Sequence, residues 1–127
     1  MKKYEREIGP HFEEVAKTSC QQAINDTKQN TGIRQISEGT TEICASYDMG
    51  WQRRSSGRAY NSISGHGSLI DSANDRLLAF SSRSTSCRFC EKAMSENREP
   101  NPHDCRKNWD GSSKAMESSV AVQLARD

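Results

Sequence analysis

The sequence predicts an α+β chain: an N-terminal helix, a three-stranded antiparallel meander, a Cys/His loop and a C-terminal helix. Three patterns carry that prediction. Apolar residues recur at helical spacing after Pro10, a period-two alternation begins at Thr41, and helical spacing returns after Ser112. At 127 residues the length fits one folding unit. Only 32% of the residues are hydrophobic, against roughly 45–50% in ordinary domains even though that figure also counts glycine. Mean hydropathy is −0.93. The expected core is therefore thin.

The first helix is expected to start at Pro10, which follows Gly9 and suits a first helical position. Phe12, Val15, Ala16, Ser19, Cys20, Ala23 and Ile24 then share one face. Asn30-Thr31-Gly32 supplies a stop. With Ser and Cys in its stripe this is a weakly packing, surface or partner-facing helix, and Cys20 reads as a small core residue.

In the first strand Thr41, Ile43, Ala45 and Tyr47 alternate with Glu42, Cys44, Ser46 and Asp48. The alternation predicts that Asp48 lies at the C-terminal end of that strand, where the backbone would fix its carboxylate. Ile63, Leu69 and Ile70 mark a second, glycine-interrupted strand. Ser72-Ala73-Asn74-Asp75 has turn composition, and Leu77, Leu78 and Phe80 mark a third strand. After the Cys/His loop, Ser112 or Ser113 can cap the last helix, with Met116, Val120 and Leu124 four apart on one face.

Charge and hydropathy exclude several classes. Eighteen basic against seventeen acidic residues give +1, which is not the balance of a module built to coat nucleic acid. Arg53, Arg54 and Arg58 nevertheless offer local phosphate contacts, or a solvated face. No apolar run is long enough to span a bilayer, so no membrane association is expected. The N-terminal residues Met1–Glu7 are not a secretory leader, so the thiols are expected to stay reduced and disulfides are disfavoured.

The densest chemistry runs from Cys87 to Cys105, where three of the five cysteines and His103 stand in a mostly polar stretch. Cys87 and Cys90 enclose two residues, the spacing that brings two thiolates of one tight turn to a single zinc ion. His103 and Cys105 are closer together than a familiar second ligand pair. In an extended segment, however, residues i and i+2 point to the same side. Zinc would also order a loop that burial cannot. Four protein ligands make such a site structural, with no position left for water. The competing readings are a catalytic or redox Cys87–Cys90 pair, and a polar loop of unconnected thiols.

Taken in order, these segments resemble the Mutator-like transposase domain. Asp48-Met49-Gly50-Trp51-Gln52-Arg53-Arg54 is similar to its Asp-x-x-Trp-x-x-Arg opening. A hairpin, a Cys-x2-Cys loop, a His/Cys pair and Gly111-Ser112-Ser113-Lys114-Ala115-Met116-Glu117 follow as they do in the family. The resemblance runs from about Thr41 to the C-terminus. It implies a ribonuclease-H-like fold and metal-dependent DNA strand cleavage and transfer. Asp48 takes the place of the first metal-binding carboxylate, and Mg²⁺ belongs to a complete parent enzyme. It also implies DNA as partner and a nuclear location; the oligomeric state stays open. The expected organisation is a helical segment and linker over 1–39, then a truncated transposase domain over 40–127 with its zinc loop at 87–105. The family's remaining acids lie downstream of the helix that Glu117 opens. The expectation is thus a fragment without nuclease activity of its own. The alternative is a non-catalytic, zinc-stabilised module that binds DNA or protein.

Overall fold

The computed structural model describes residues 2–29, 35–37, 39–52 and 62–126. Its elements are α1 (Lys2–Gln29), β1 (Gln35–Ser37), β2 (Thr40–Thr41), β3 (Ala45–Trp51), β4 (Ser64–Asp71), β5 (Leu77–Ser84), α2 (Arg88–Ser95) and α3 (Ser113–Leu124). β1 and β2 form a small antiparallel ladder, and β3, β4 and β5 form an antiparallel sheet in that order. The α+β class and the meander are therefore as expected. Two compact units divide the chain, one of residues 1–47 with 68–79, the other of 48–67 with 80–127. The expected boundary at 39/40 is a different division, and the arginines at 53, 54 and 58 lie outside the described residues.

In the first unit, α1 starts eight residues before Pro10 and carries the proline inside it. Proline cannot donate to the Arg6 carbonyl, so one helical hydrogen bond is lost there. The preceding Lys2-Lys3-Tyr4-Glu5-Arg6-Glu7 is mostly good helix formers, which favours continuing the helix through that break. The expected apolar face is only partly used. Phe12 and Val15 are exposed, while Cys20, Ala23 and Thr27 are buried at i, i+3 and i+7. Burial raises the Cys20 thiol pKa.

Thr27 donates its hydroxyl to the buried carboxylate of Asp71, 2.8 Å away, and the Ala73 N–H donates to the other Asp71 oxygen at 2.9 Å. The Ala73 N–H, then the Thr27 hydroxyl, hold the Asp71 carboxyl below the usual carboxylate range. Arg76 pairs with Asp26 beside it and, with a Gln22 amide, lowers that carboxyl too. Asp71 also starts the β4–β5 turn. Its N–H donates to the Arg76 carbonyl at 2.9 Å, and Asp75 closes the loop at φ 57°. Aspartate is among the few side chains that tolerate that region.

In the second unit, α3 begins as expected. Ser112 is its N-cap and accepts from the Ala115 N–H at 3.3 Å. Met116, Val120 and Leu124 are buried at four-residue spacing and form its core face. Glu117 lies past the first helical turn, where the helix dipole no longer favours a carboxylate, so it does not serve the helix start. The outer edge of β5 is closed by Asn108. Its amide donates to the Ser82 carbonyl at 3.0 Å, and its side-chain oxygen accepts from the Ser84 N–H at 2.7 Å. The backbone N–H groups of Asn108 and Trp109 both donate to the Ser84 carbonyl. One side chain thus copies the pairing of a neighbouring strand.

Candidate metal centre

Cys87, Cys90, His103 and Cys105 converge so that their ligand atoms all lie within 4.8 Å of one another. The sequence reading treats 87–105 as one loop, but its first part is helix α2. Cys87 is the N-cap of that helix, in extended conformation, and Cys90 follows one turn later. The Cys-x2-Cys pair thus straddles a helix start, which aims both sulfurs to the same side. The helix stops at Asn97, which has φ 50°. Arg98 N–H donates to the Ala93 carbonyl and Asn97 N–H to the Met94 carbonyl. Both bonds belong to a left-handed helix cap, a position that asparagine tolerates. A short helix with one buried residue, Ala93, escaped the sequence reading. Its usable signals were Phe89 and Ala93 at i, i+4 and Glu91 in the first turn.

The return segment brings His103 and Cys105 to the same point. His103 Nε2 lies 3.2 Å from Cys87 Sγ and 3.4 Å from Cys90 Sγ, and Cys90 Sγ lies 3.7 Å from Cys105 Sγ. A tetrahedron with bonds of about 2.3 Å to sulfur and 2.0–2.1 Å to nitrogen has edges near 3.8 Å (S–S) and 3.5 Å (S–N). The donor set therefore fits a tetrahedral divalent ion such as zinc, in both chemistry and spacing. Oxygen-seeking Mg²⁺ does not suit it. His103 Nδ1–H donates to the Asn101 carbonyl at 2.7 Å, leaving the Nε2 lone pair toward the sulfurs. The Phe89 ring packs against the imidazole with centroids 5.1 Å apart.

The electrostatics follow from the helix start and the crowding. The backbone N–H of Cys90 lowers the Cys87 thiol to about 6, and the Phe89 N–H adds to it. Cys90 is pushed up to about 11, first by desolvation and then by the sulfurs of Cys105 and Cys87. The Asn101 carbonyl raises His103, with Cys87 adding to the effect. Without a cation the three sulfurs cannot all ionise together. A bound divalent ion supplies the positive charge that lets them do so. Exposure grades across the set, from buried Cys87 through half-buried Cys90 and His103 to exposed Cys105.

Asp48 sits elsewhere. The alternation predicts a C-terminal strand end for it, but β3 runs on to Trp51, so Asp48 is mid-strand and exposed. The Gln52 N–H donates to the Ser64 carbonyl, which extends the β3–β4 ladder past Gly50. Gly50 permits this, since a Cβ there would stand 2.4 Å from the His66 ring. Period two puts Asp48 on the same face as Gly50. Among the described residues no cluster of three or more metal-capable side chains includes Asp48.

A family model described as Mutator-like transposase matches residues 1–127, the whole chain. No curated protein and no solved structure matched.

Proposed function

The chain belongs to the Mutator-like transposase family, and from that premise we propose that it forms the opening part of a ribonuclease-H-like catalytic domain acting on DNA. The match over all 127 residues is the observation that carries this reading. The order supports it: the three-stranded antiparallel sheet precedes α3, with the short α2 and the Cys/His segment standing between them, and the resemblance implies a meander, then the Cys/His loop, then a helix. In this reading residues 40–127 are the transposase part and 1–39 a helical lead-in. β3 presents Asp48 as one metal-binding carboxylate of a parent enzyme that cleaves and transfers DNA strands. A nuclear location goes with this reading alone. Among the described residues no helix is long and apolar enough to cross a membrane.

Cys87, Cys90, His103 and Cys105 hold a structural zinc ion in this proposal. Zinc supplies the cross-link that a segment with few buried side chains lacks. All four ligands come from the protein, so the ion is a fastener with no open position for chemistry. The same closed donor set, together with a single exposed Asp48, also favours the second reading of a non-catalytic, zinc-stabilised module that binds DNA or protein.

The test is zinc stoichiometry by native mass spectrometry, with strand cleavage measured on the same samples. One zinc per chain is expected, lost in Cys87→Ser/Cys90→Ser, and no Mg²⁺-dependent cleavage by residues 1–127 alone. Cleavage that disappears in Asp48→Ala would show a complete active site and overturn the expectation of inactivity. Absence of zinc from the wild type would remove the structural-zinc reading.

A further inference from the structure

Arg83 of β5 is half-buried, and its guanidinium is held by neutral groups. Nε donates to Ser119 Oγ at 3.3 Å, Nη1 to Ser81 Oγ at 3.2 Å and to the Ser82 carbonyl at 3.1 Å, and Nη2 to Gln123 Oε1 at 2.6 Å. Four hydrogen bonds fix the cation in place, and none of them brings a negative charge. A fixed, partly desolvated arginine with no carboxylate partner among the described residues is an arrangement that favours an incoming anion.

Two surface clefts of the second unit meet at this residue. One, of about 740 Å³, also takes in Trp109, Ser118 and Arg126 along α3. The other, of about 520 Å³, takes in His66, Ser82 and Arg106. Among the described residues Asp104 is the single carboxylate lining either cleft, and Arg106 pairs with it at 2.7 Å. Three arginines thus face one acid, interspersed with hydroxyls, on open and shallow surfaces. Arg106 follows Cys105 directly, so an ion held by the Cys/His group would anchor its backbone.

We infer that the two clefts meeting at Arg83 bind the phosphodiester backbone of DNA, with Arg83, Arg106 and Arg126 as phosphate contacts. The chemistry fits: guanidinium N–H groups and hydroxyls are the usual donors to phosphate oxygens, and such contacts position a duplex without reading its bases. Arg83, with one N–H uncommitted among the described residues, contributes its fixed charge and a single donor. The inference rests on the transposase reading for the choice of DNA over other polyanions. It does not require Asp48 to bind metal. Arg106 depends on the zinc loop for its place, which gives the loop a second purpose: holding a phosphate contact.

The experiment is fluorescence anisotropy of a short labelled DNA duplex against the zinc-loaded chain across a salt series. Wild type, Arg106→Gln, Arg126→Gln and the double variant are compared, with Arg98→Gln as an equal-charge control outside the clefts. Arg83→Gln is kept for last because it also ties β5 to α3, and circular dichroism checks its fold. Each of Arg106→Gln and Arg126→Gln should weaken binding several-fold and lower the log–log salt slope by about one. The Arg98 variant should leave both unchanged. Wild-type affinity and slope in the double variant, equal losses in the Arg98 control, or no wild-type binding at low salt would each overturn the inference. Binding of polyglutamate competitors but not of duplex would assign the clefts to an acidic protein partner and overturn it too. Zinc is quantified on the same samples. Arginine-dependent binding without zinc would sink the zinc reading alone, and zinc without DNA binding would sink the clefts alone.

Discussion

Helix α3 and the segment from Cys87 to Cys105 belong to the same unit and are ordered by different physics. α3 buries Met116 and Val120 fully and Leu124 nearly so, all on one stripe. The segment buries only Cys87 and Ala93. Its order comes from backbone caps and four converging donor atoms. The lesson is that a polar segment can take a defined path when its few special residues share one point. A helix needs a repeated apolar face to do so, because most helical stability in proteins comes from packing.

Metal removal breaks this comparison most strongly. A zinc chelator, or Cys90→Ser, should release the 98–107 segment from α2. Hydrogen exchange should rise across Cys87–Arg106 while the amides of α3 around Met116 stay the slowest in the unit. Equal acceleration in both regions would mean that the metal orders the whole unit. The next effect is the converse. Met116→Ala empties a fully buried site and should cost about 3 kcal/mol, a melting shift near 4 °C per kcal/mol for a chain of this size. Zinc stoichiometry should remain at one, as native mass spectrometry would show. Loss of zinc in that variant would tie the two regions together.

The smallest expected effect extends the comparison to the first unit, where the buried side chains among the described residues are Cys20, Ala23, Thr27, Asp71 and a single large apolar one, Leu78. Asp71 is buried and its folded pKa lies below the ordinary 3.8. A depressed carboxyl contributes stability at pH values above its unfolded pKa, and that contribution is lost as pH falls through the folded one. Thr27→Val removes one of the three bonds that depress it, those of Ala73, Thr27 and Asn74. Chemical denaturation should therefore find the variant less stable than wild type at neutral pH. The gap should narrow as pH drops below about 4. A gap that is independent of pH would mean that Thr27 acts through packing and not through the carboxylate.

Much of the fold was legible from local patterns. The spacing of Met116, Val120 and Leu124 gave α3 and its buried face. The alternation and turn residues gave three strands with a turn at Ser72–Asp75, although the first strand begins at Ala45 and not at Thr41, which lies in β2. The metal-capable group was legible because cysteine and histidine carry their chemistry in their identity. What escaped depended on pairing across the chain or on few residues. The β3 boundary is set by its ladder to β4 and by the bare Gly50, not by its own alternation. β1 and β2 are too short to show a period. In α2 only Ala93 is buried, so no apolar stripe announces it. Cys87 proved to be both helix cap and metal-capable donor, and spacing alone distinguishes no caps. Arg83 was missed because a lone arginine in a strand has no pattern. Only its neutral partners on α3 mark it out.

The contact between Gly50 and His66 has a consequence for how this sequence can vary. The imidazole occupies the space that any side chain at position 50 would need, and Gly65 stands in the same relation to Trp51 and Met49. Along this pair of strands bulk is therefore traded across the ladder, with a large ring on one strand covering a hydrogen on the other. Positions 50 and 66 share one volume, but unequally: a side chain at 50 needs the ring at 66 to shrink or turn away, whereas a smaller residue at 66 asks nothing of Gly50. A scan of single substitutions would therefore make position 50 look rigid and position 66 tolerant, and the tolerance of position 50 would show only in pairs.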